Sequence, residues 1–294
     1  MTDRPPPIDK HRARRAFSRA ADTYDEAAVL QREIGERMLE RLDYVKLAPE
    51  VILDAGCGTG TGAEALLRRY RKARVVAMDF AYPMLRRARR RGSWLRRPIC
   101  VCGDIDHLPL ADASVDLVFS NAVLQWSTDL AGSFSECLRV LRPGGLLMFT
   151  TFGPDTLKEL RAAWAEVDGH SHVSPFTDMH DIGDLLLRSH FAEPVMDAEW
   201  LTLTYEDVGG LMGDLKTLGA GNATAGRARG MTGKARLAAM RDAYEQFRVD
   251  GRLPATWEVI YGHAWAPEAR PDSRQTGPGV SVVSVERIRR RPPG

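Results

Sequence analysis

Between residues 51 and 152 the apolar residues of this chain keep two alternating rhythms. Short unbroken runs such as Val51-Ile-Leu53, Val75-Val-Ala-Met78 and Leu146-Leu-Met-Phe149 suit strands buried on both faces. Between them apolar positions recur at intervals of three and four, as in Ala63, Leu66, Leu67 and Tyr70, which is the period of a helix with one buried face. The pattern predicts strands over 51–55, 74–79, 99–103, 115–120 and 146–152 and helices over 61–71, 82–91 and 129–141. Strand–helix alternation of this kind implies βαβ units and a parallel sheet. Arg142-Pro-Gly-Gly145 is expected to stop the last of these helices.

On either side of this core the rhythm changes. Phe17, Ala20, Ala21 and Tyr24 share one helical face, and Ile34, Met38, Leu39 and Leu42 a second. Beyond residue 152 the sequence predicts helices around 157–167 and 182–187, a strand over 195–204 and a strand over 256–265; residues 206–250 are helical in pattern, interrupted by Gly219-Ala-Gly221. The expected organisation is a helical cap (1–47), a core (48–205 and 255–266) and a helical lid inserted before the last strand (206–254). A tail from 267 to 294, rich in Pro, Gly and Arg, is expected to be loosely held.

The first strand breaks into Asp54-Ala-Gly56-Cys-Gly58-Thr-Gly60, and the second ends in Asp79. Glycines there present bare backbone to a ligand at a helix N-terminus, and an acid at the end of the next strand can accept both hydroxyls of a ribose. A nucleoside site at the carboxyl ends of the strands follows. The spacing is G-x-G-x-G and not the G-x-G-x-x-G of dinucleotide folds, and Leu53 to Gly60 resembles the first motif of class I S-adenosylmethionine-dependent methyltransferases. Gly103-Asp104-Ile105, Ser120-Asn121 and Gln125-Trp126 follow later strands, where ligands of open α/β sheets bind.

Composition narrows the setting. With 294 residues, 44% hydrophobic and 27% charged, the chain has the make-up of a globular protein. No stretch approaches the ~18 apolar residues of a membrane span, and residues 1–7 lack the apolar centre of a secretory signal, so a cytoplasmic location is expected. The four cysteines have no further paired Cys or His at ligand spacing, so no metal site is expected, and Cys57 is expected to be the thiol most open to alkylation. The net charge of +2 hides an asymmetry, since residues 68–97 carry twelve Lys or Arg against the single acid Asp79. That segment is either a solvated helix face or a docking surface for an acidic partner, nucleic acid or protein.

A wider resemblance then emerges. Phe17-Ser-Arg-Ala-Ala-Asp-Thr-Tyr24-Asp25 with Gln31, together with Leu53 to Gly58, Gly103 to Ile105, Asp116 to Asn121, Gln125-Trp126, Phe149 to Phe152 and Leu215-Lys-Thr-Leu-Gly-Ala220, is similar to the malonyl-[acyl-carrier protein] O-methyltransferases of biotin synthesis over about residues 8–266. The resemblance implies a class I, Rossmann-like α/β fold with a seven-stranded sheet, mostly parallel with its last strand antiparallel. It implies S-adenosylmethionine as cofactor: Gly56, Gly58 and Gly60 beside its methionine part, Asp79 on ribose, Asp104 and Ile105 on adenine and Tyr24 closing over it, with Gln31, Asp54, Phe80, Met84 and Asn121 as further cofactor-binding residues. Gly153-Pro-Asp-Thr-Leu157 and His172-Val-Ser-Pro-Phe176 also resemble methyltransferase-like complex I assembly proteins, which act on a protein partner. A nucleic-acid methyltransferase is disfavoured, because no stacking aromatics interleave the arginines and Asn121 is followed by Ala122.

For a malonyl thioester the nucleophile is the free carboxylate, ionised at neutral pH because its pKa is about 4. No catalytic base is therefore expected; the protein aligns the reacting groups. Arg19, Gln125, Trp126 and Lys216 are the candidate substrate residues. The carrier is expected to be acyl carrier protein or coenzyme A, and an acidic carrier protein would dock on residues 68–97 or on Lys10 to Arg19.

Overall fold

In the computed structural model, which describes residues 8–222 and 233–268, seven strands form one sheet in the order β3-β2-β1-β4-β5-β7-β6. They are β1 (Val51–Ala55), β2 (Arg74–Asp79), β3 (Ile99–Cys102), β4 (Val115–Ser120), β5 (Leu141–Phe152), β6 (Ala192–Tyr205) and β7 (Leu253–Trp265). The first five pair in parallel, while β7 runs antiparallel between β5 and β6. This is the expected class I methyltransferase sheet. All of β1 is buried, with Ile52 in the apolar cluster on one face and Leu53 in that on the other. The strand order reverses between β2 and β4 on the two sides of β1, which opens a crevice at the carboxyl ends of β1 and β4.

The helices are α1 (Lys10–Ala20), α2 (Tyr24–Ala27), α3 (Val29–Arg41), α4 (Thr61–Arg69), α5 (Tyr82–Ala88), α6 (Leu130–Val140), α7 (Lys158–Ala165), α8 (Met179–Arg188), α9 (Val208–Thr217) and α10 (Lys234–Tyr244). Three features depart from the sequence pattern. The first helical stretch breaks after Ala20, so Tyr24 opens a separate short helix and leaves the face of Phe17. The strand expected at 146 starts at Leu141; Pro143 and the glycines are accommodated by a register shift opposite Val115 and Leu117 and by a left-handed Gly144 (φ +72). Within the insertion, α9 lies against α2 and β6 whereas α10 lies on α7. Met240 and Tyr244 of α10 are fully buried, and the Tyr244 hydroxyl donates to the Pro254 carbonyl at 2.8 Å, so α10 is part of the core. Of the tail, only Pro267 and Glu268 are described; residues 269–294 lie outside the described residues, as do 1–7. Among the described residues no helix is long and apolar enough to cross a membrane.

Candidate cofactor crevice and substrate cavity

The three glycines of the β1–α4 loop all take left-handed φ, at +75, +54 and +87 for Gly56, Gly58 and Gly60, but they do different work. A Cβ on Gly56 would lie 2.2 Å from Val123 Cγ2, and one on Gly60 2.8 Å from the Cα of Ala88. Gly60 thus packs α4 against α5 and lines none of the recesses around the loop. Gly58 faces Tyr24, whose Cε1 lies 3.8 Å from the place of such a Cβ. The Asp79 carboxylate accepts from the Gly58 N–H at 3.0 Å and the Ala81 N–H at 2.7 Å. Burial lifts its pKa to about 6 against those two donors.

Asp54 is buried as deeply, and burial raises it to about 7, opposed by the Ala63 N–H and reinforced by Asp79. Its Oδ2 has no hydrogen-bond partner, and neither has the buried Oε1 of Gln31. Both residues line one recess of about 420 Å³ with Tyr24, Gly56, Gly58 and Asn121. Two buried acceptors without donors, one of them a carboxylate, fit a cationic amino group. A narrow slot of about 60 Å³ continues from it, where Phe80, Met84, Ile105 and Trp126 stand beside the carboxylates of Asp79 and Asp104. Every expected cofactor residue except Gly60 lines one of these two spaces. The residues present therefore fit S-adenosylmethionine.

Several side chains stand differently from the expectation. The Asn121 amide is committed within the protein: Nδ2 donates to the Gln31 carbonyl at 2.8 Å and Oδ1 accepts from Thr150 Oγ1 at 2.7 Å. It ties α3 to β5 while lining the recess. One oxygen of Asp104 is already bound by Lys10 and by the Asp106 N–H. Cys57 is buried, and burial together with Asp54 and Asp79 pushes its thiol well up; it is a poor target for alkylation, and the exposed thiol is Cys102. Much of the basic segment is structural as well. Arg91 bonds Asp25 at 2.6 Å, Arg69 pairs with Asp43, Arg87 with Asp22, and Arg96 caps the carbonyls of Leu67 and Tyr70.

Tyr24 also borders a larger cavity of about 860 Å³, lined by all four expected substrate residues, Arg19, Gln125, Trp126 and Lys216. Burial, Asp79 and Asp25 raise the Tyr24 phenol, so it stays neutral where the three spaces meet. Trp126 packs edge-on to Phe17 at 5.2 Å, and Gln125 donates to the Ala122 carbonyl at 2.7 Å. The inner wall is apolar, with Phe152, Trp164, Phe176 and Trp257. Arg12 and His172 join the lining, and no Asp or Glu does so among the described residues. The sequence pattern placed Arg12 in a docking segment and His172 in a motif of a second family, but neither of them, nor Trp257, in the substrate site. Arg12 stands seven before Arg19 on one helix face and was open to detection; the other two reach the cavity only through tertiary packing.

Comparison with known proteins agrees with this geometry. A family model described as a methyltransferase domain matches residues 53–149. The chain is 57% identical over 269 residues to a malonyl-[acyl-carrier protein] O-methyltransferase of Methylovorus sp. (strain MP688), covering 90% of this chain and 91% of that protein. It is 51% identical over 286 residues to the protein of the same name from Halorhodospira halophila, covering 97% of each. Among solved structures, YcgJ of Bacillus subtilis aligns with a TM-score of 0.56 at 14% identity, over 79% of this chain and 98% of that one. The [4+2]-cyclase SpnF aligns at 0.51 and 21% identity, over 81% of each. At such identities these two show the shared fold alone.

Proposed function

The chain belongs to the malonyl-[acyl-carrier protein] O-methyltransferase family, and from that premise we propose how its crevice and cavity divide the work. The reaction transfers the methyl group of S-adenosylmethionine to the free carboxylate of a malonyl thioester. When bound, the cofactor supplies a methyl group activated by its sulfonium. In our reading Asp54 and Gln31 hold its amino-acid end, Asp79 its ribose, and Phe80, Met84 and Ile105 its base. The 860 Å³ cavity takes the malonyl group and part of the arm that carries it. Tyr24, at the junction, separates the two from water.

The observation that carries this assignment is the charge of the cavity lining: Arg12, Arg19 and Lys216 and no acid among the described residues. Such a lining favours an anionic acyl group over a neutral one. The carboxylate nucleophile needs no base; Gln125, Trp126 and the apolar wall orient and desolvate it, and orientation of this kind can supply ~7–11 kcal/mol. Arg12 and Arg19 lie on α1 at the cavity, so an acidic carrier protein docked on that helix could place its arm inside. Docking on α1, in the cytoplasm and at the start of biotin synthesis, completes the reading.

Charge reversal at Arg12 and Arg19 tests it. The KM for malonyl-acyl carrier protein should rise by about tenfold or more and lose much of its dependence on salt, with cofactor affinity unchanged and malonyl-coenzyme A affected less. An unaltered KM and salt dependence would remove α1 from the docking surface.

A further inference from the structure

The cavity wall holds an imidazole that is fixed more firmly than packing requires. The Nε2 of His172 lies 2.9 Å from Asp168 Oδ1, and its ring stacks on the indole of Trp164, with centroids 3.7 Å apart and planes 7° from parallel. Trp164 is itself buried in the core. Asp168 is held in turn by the His170 N–H at 3.0 Å and faces Arg236 of α10 at 3.7 Å. One nitrogen is thus committed and the ring plane fixed, while His172 remains part of the cavity lining. The same wall contains Trp257, whose indole N–H is buried without a partner. A wall that offers hydrogen-bonding nitrogens and no carboxylate suits a ligand rich in acceptor oxygens.

We propose that His172 is a specificity-determining residue that binds the free carboxylate of the malonyl group through Nδ1. The inference rests on the reading that this cavity receives the malonyl arm. A doubly protonated ring donates from Nε2 to Asp168 and from Nδ1 to one carboxylate oxygen, which leaves the other oxygen to attack the methyl group. An arginine fork would engage both oxygens; one imidazole donor orients the nucleophile without enclosing it. The charged groups around the ring are Asp168 on Nε2, Arg236 beyond it, His170 beside Asp168 and Lys216 elsewhere in the cavity lining.

The test uses steady-state kinetics with malonyl-acyl carrier protein, with cofactor affinity measured by calorimetry. His172→Phe keeps the stack on Trp164 but removes both nitrogens, and should raise KM at neutral pH by about tenfold or more, the loss of one hydrogen bond to a charged group, with a smaller change in kcat and none in cofactor affinity. His172→Asn places an amide N–H near the position of Nδ1 and should restore most of the KM. A wild-type KM in His172→Phe, or a KM in His172→Asn as high as in His172→Phe, overturns the role of His172. Failure of the unaltered enzyme to methylate malonyl-acyl carrier protein overturns the carboxyl-methylation reading along with it.

Discussion

A buried acceptor without a donor costs about 1–3 kcal/mol, and Asp54 Oδ2 and Gln31 Oε1 are two such atoms in one recess. A cationic donor would relieve both, which supports the proposed seat of the cofactor's amino group. Burial raises Asp54 to about 7 and Asp79 to about 6. Because both folded values lie above the ordinary carboxyl value, protonation favours the ligand-free folded protein. That contribution to stability is full below about pH 4 and is lost as pH rises toward 7. A cation binds the ionised form, so cofactor binding releases protons, and affinity should tighten from about pH 5.5 to 7.5 before levelling off. Asp54→Asn should weaken binding about tenfold and flatten that slope, as read by calorimetry in buffers of different ionisation heat. An unchanged slope would show that Asp54 does not face the cofactor. Asp54, Asp79 and the glycines were legible in the sequence because a loop of fixed spacing determines their positions. The separate role of Gly60 was not, since it depends on how closely Ala88 approaches from α5.

Among elements, α1 and α2 lie in the helical cap of the sequence pattern, and ion pairs tie them down. Lys10 bridges to Asp104 and, at 2.6 Å, to Asp106; Asp22 and Asp25 reach Arg87 and Arg91 on the α5 side. Burial opposes the Asp106 charge, but Lys10, Ser133 and Thr128 together hold its carboxyl well below the usual range. Lys10 therefore latches the N-terminus of α1 to the loop that borders the nucleobase slot. Lys10→Ala should speed amide exchange in α1 and residues 104–106 by about tenfold and leave the central strands protected, with a weaker cofactor affinity. Unchanged exchange in α1 would mean that its apolar contacts alone hold it. The latch was hidden in the sequence because Lys10 and Asp104 are far apart along the chain, and a lone lysine near a terminus resembles any surface charge. The strands β1, β2 and β4, by contrast, were legible to their ends, since burial on both faces demands unbroken apolar runs.

For the molecule as a whole, sheet and crevice follow from the pattern, while the cavity is assembled from parts that no local pattern links: α1, the loop after α7, α9 and β7. Gly153 to Leu157 and His172 to Phe176, which pointed toward a second family, contribute Leu157, His172 and Phe176 to this wall, where the proposed reading places the substrate. The central claim is that a cationic cavity delivers a carboxylate to the methyl group held in the crevice. The most direct measurement is transfer of labelled methyl from S-adenosylmethionine to malonyl-acyl carrier protein, with acetyl-acyl carrier protein as the control lacking the carboxylate. The account predicts label on the malonyl group alone, released by mild base as an ester. Label on the acetyl carrier, or on malonyl in a base-stable form, would contradict it.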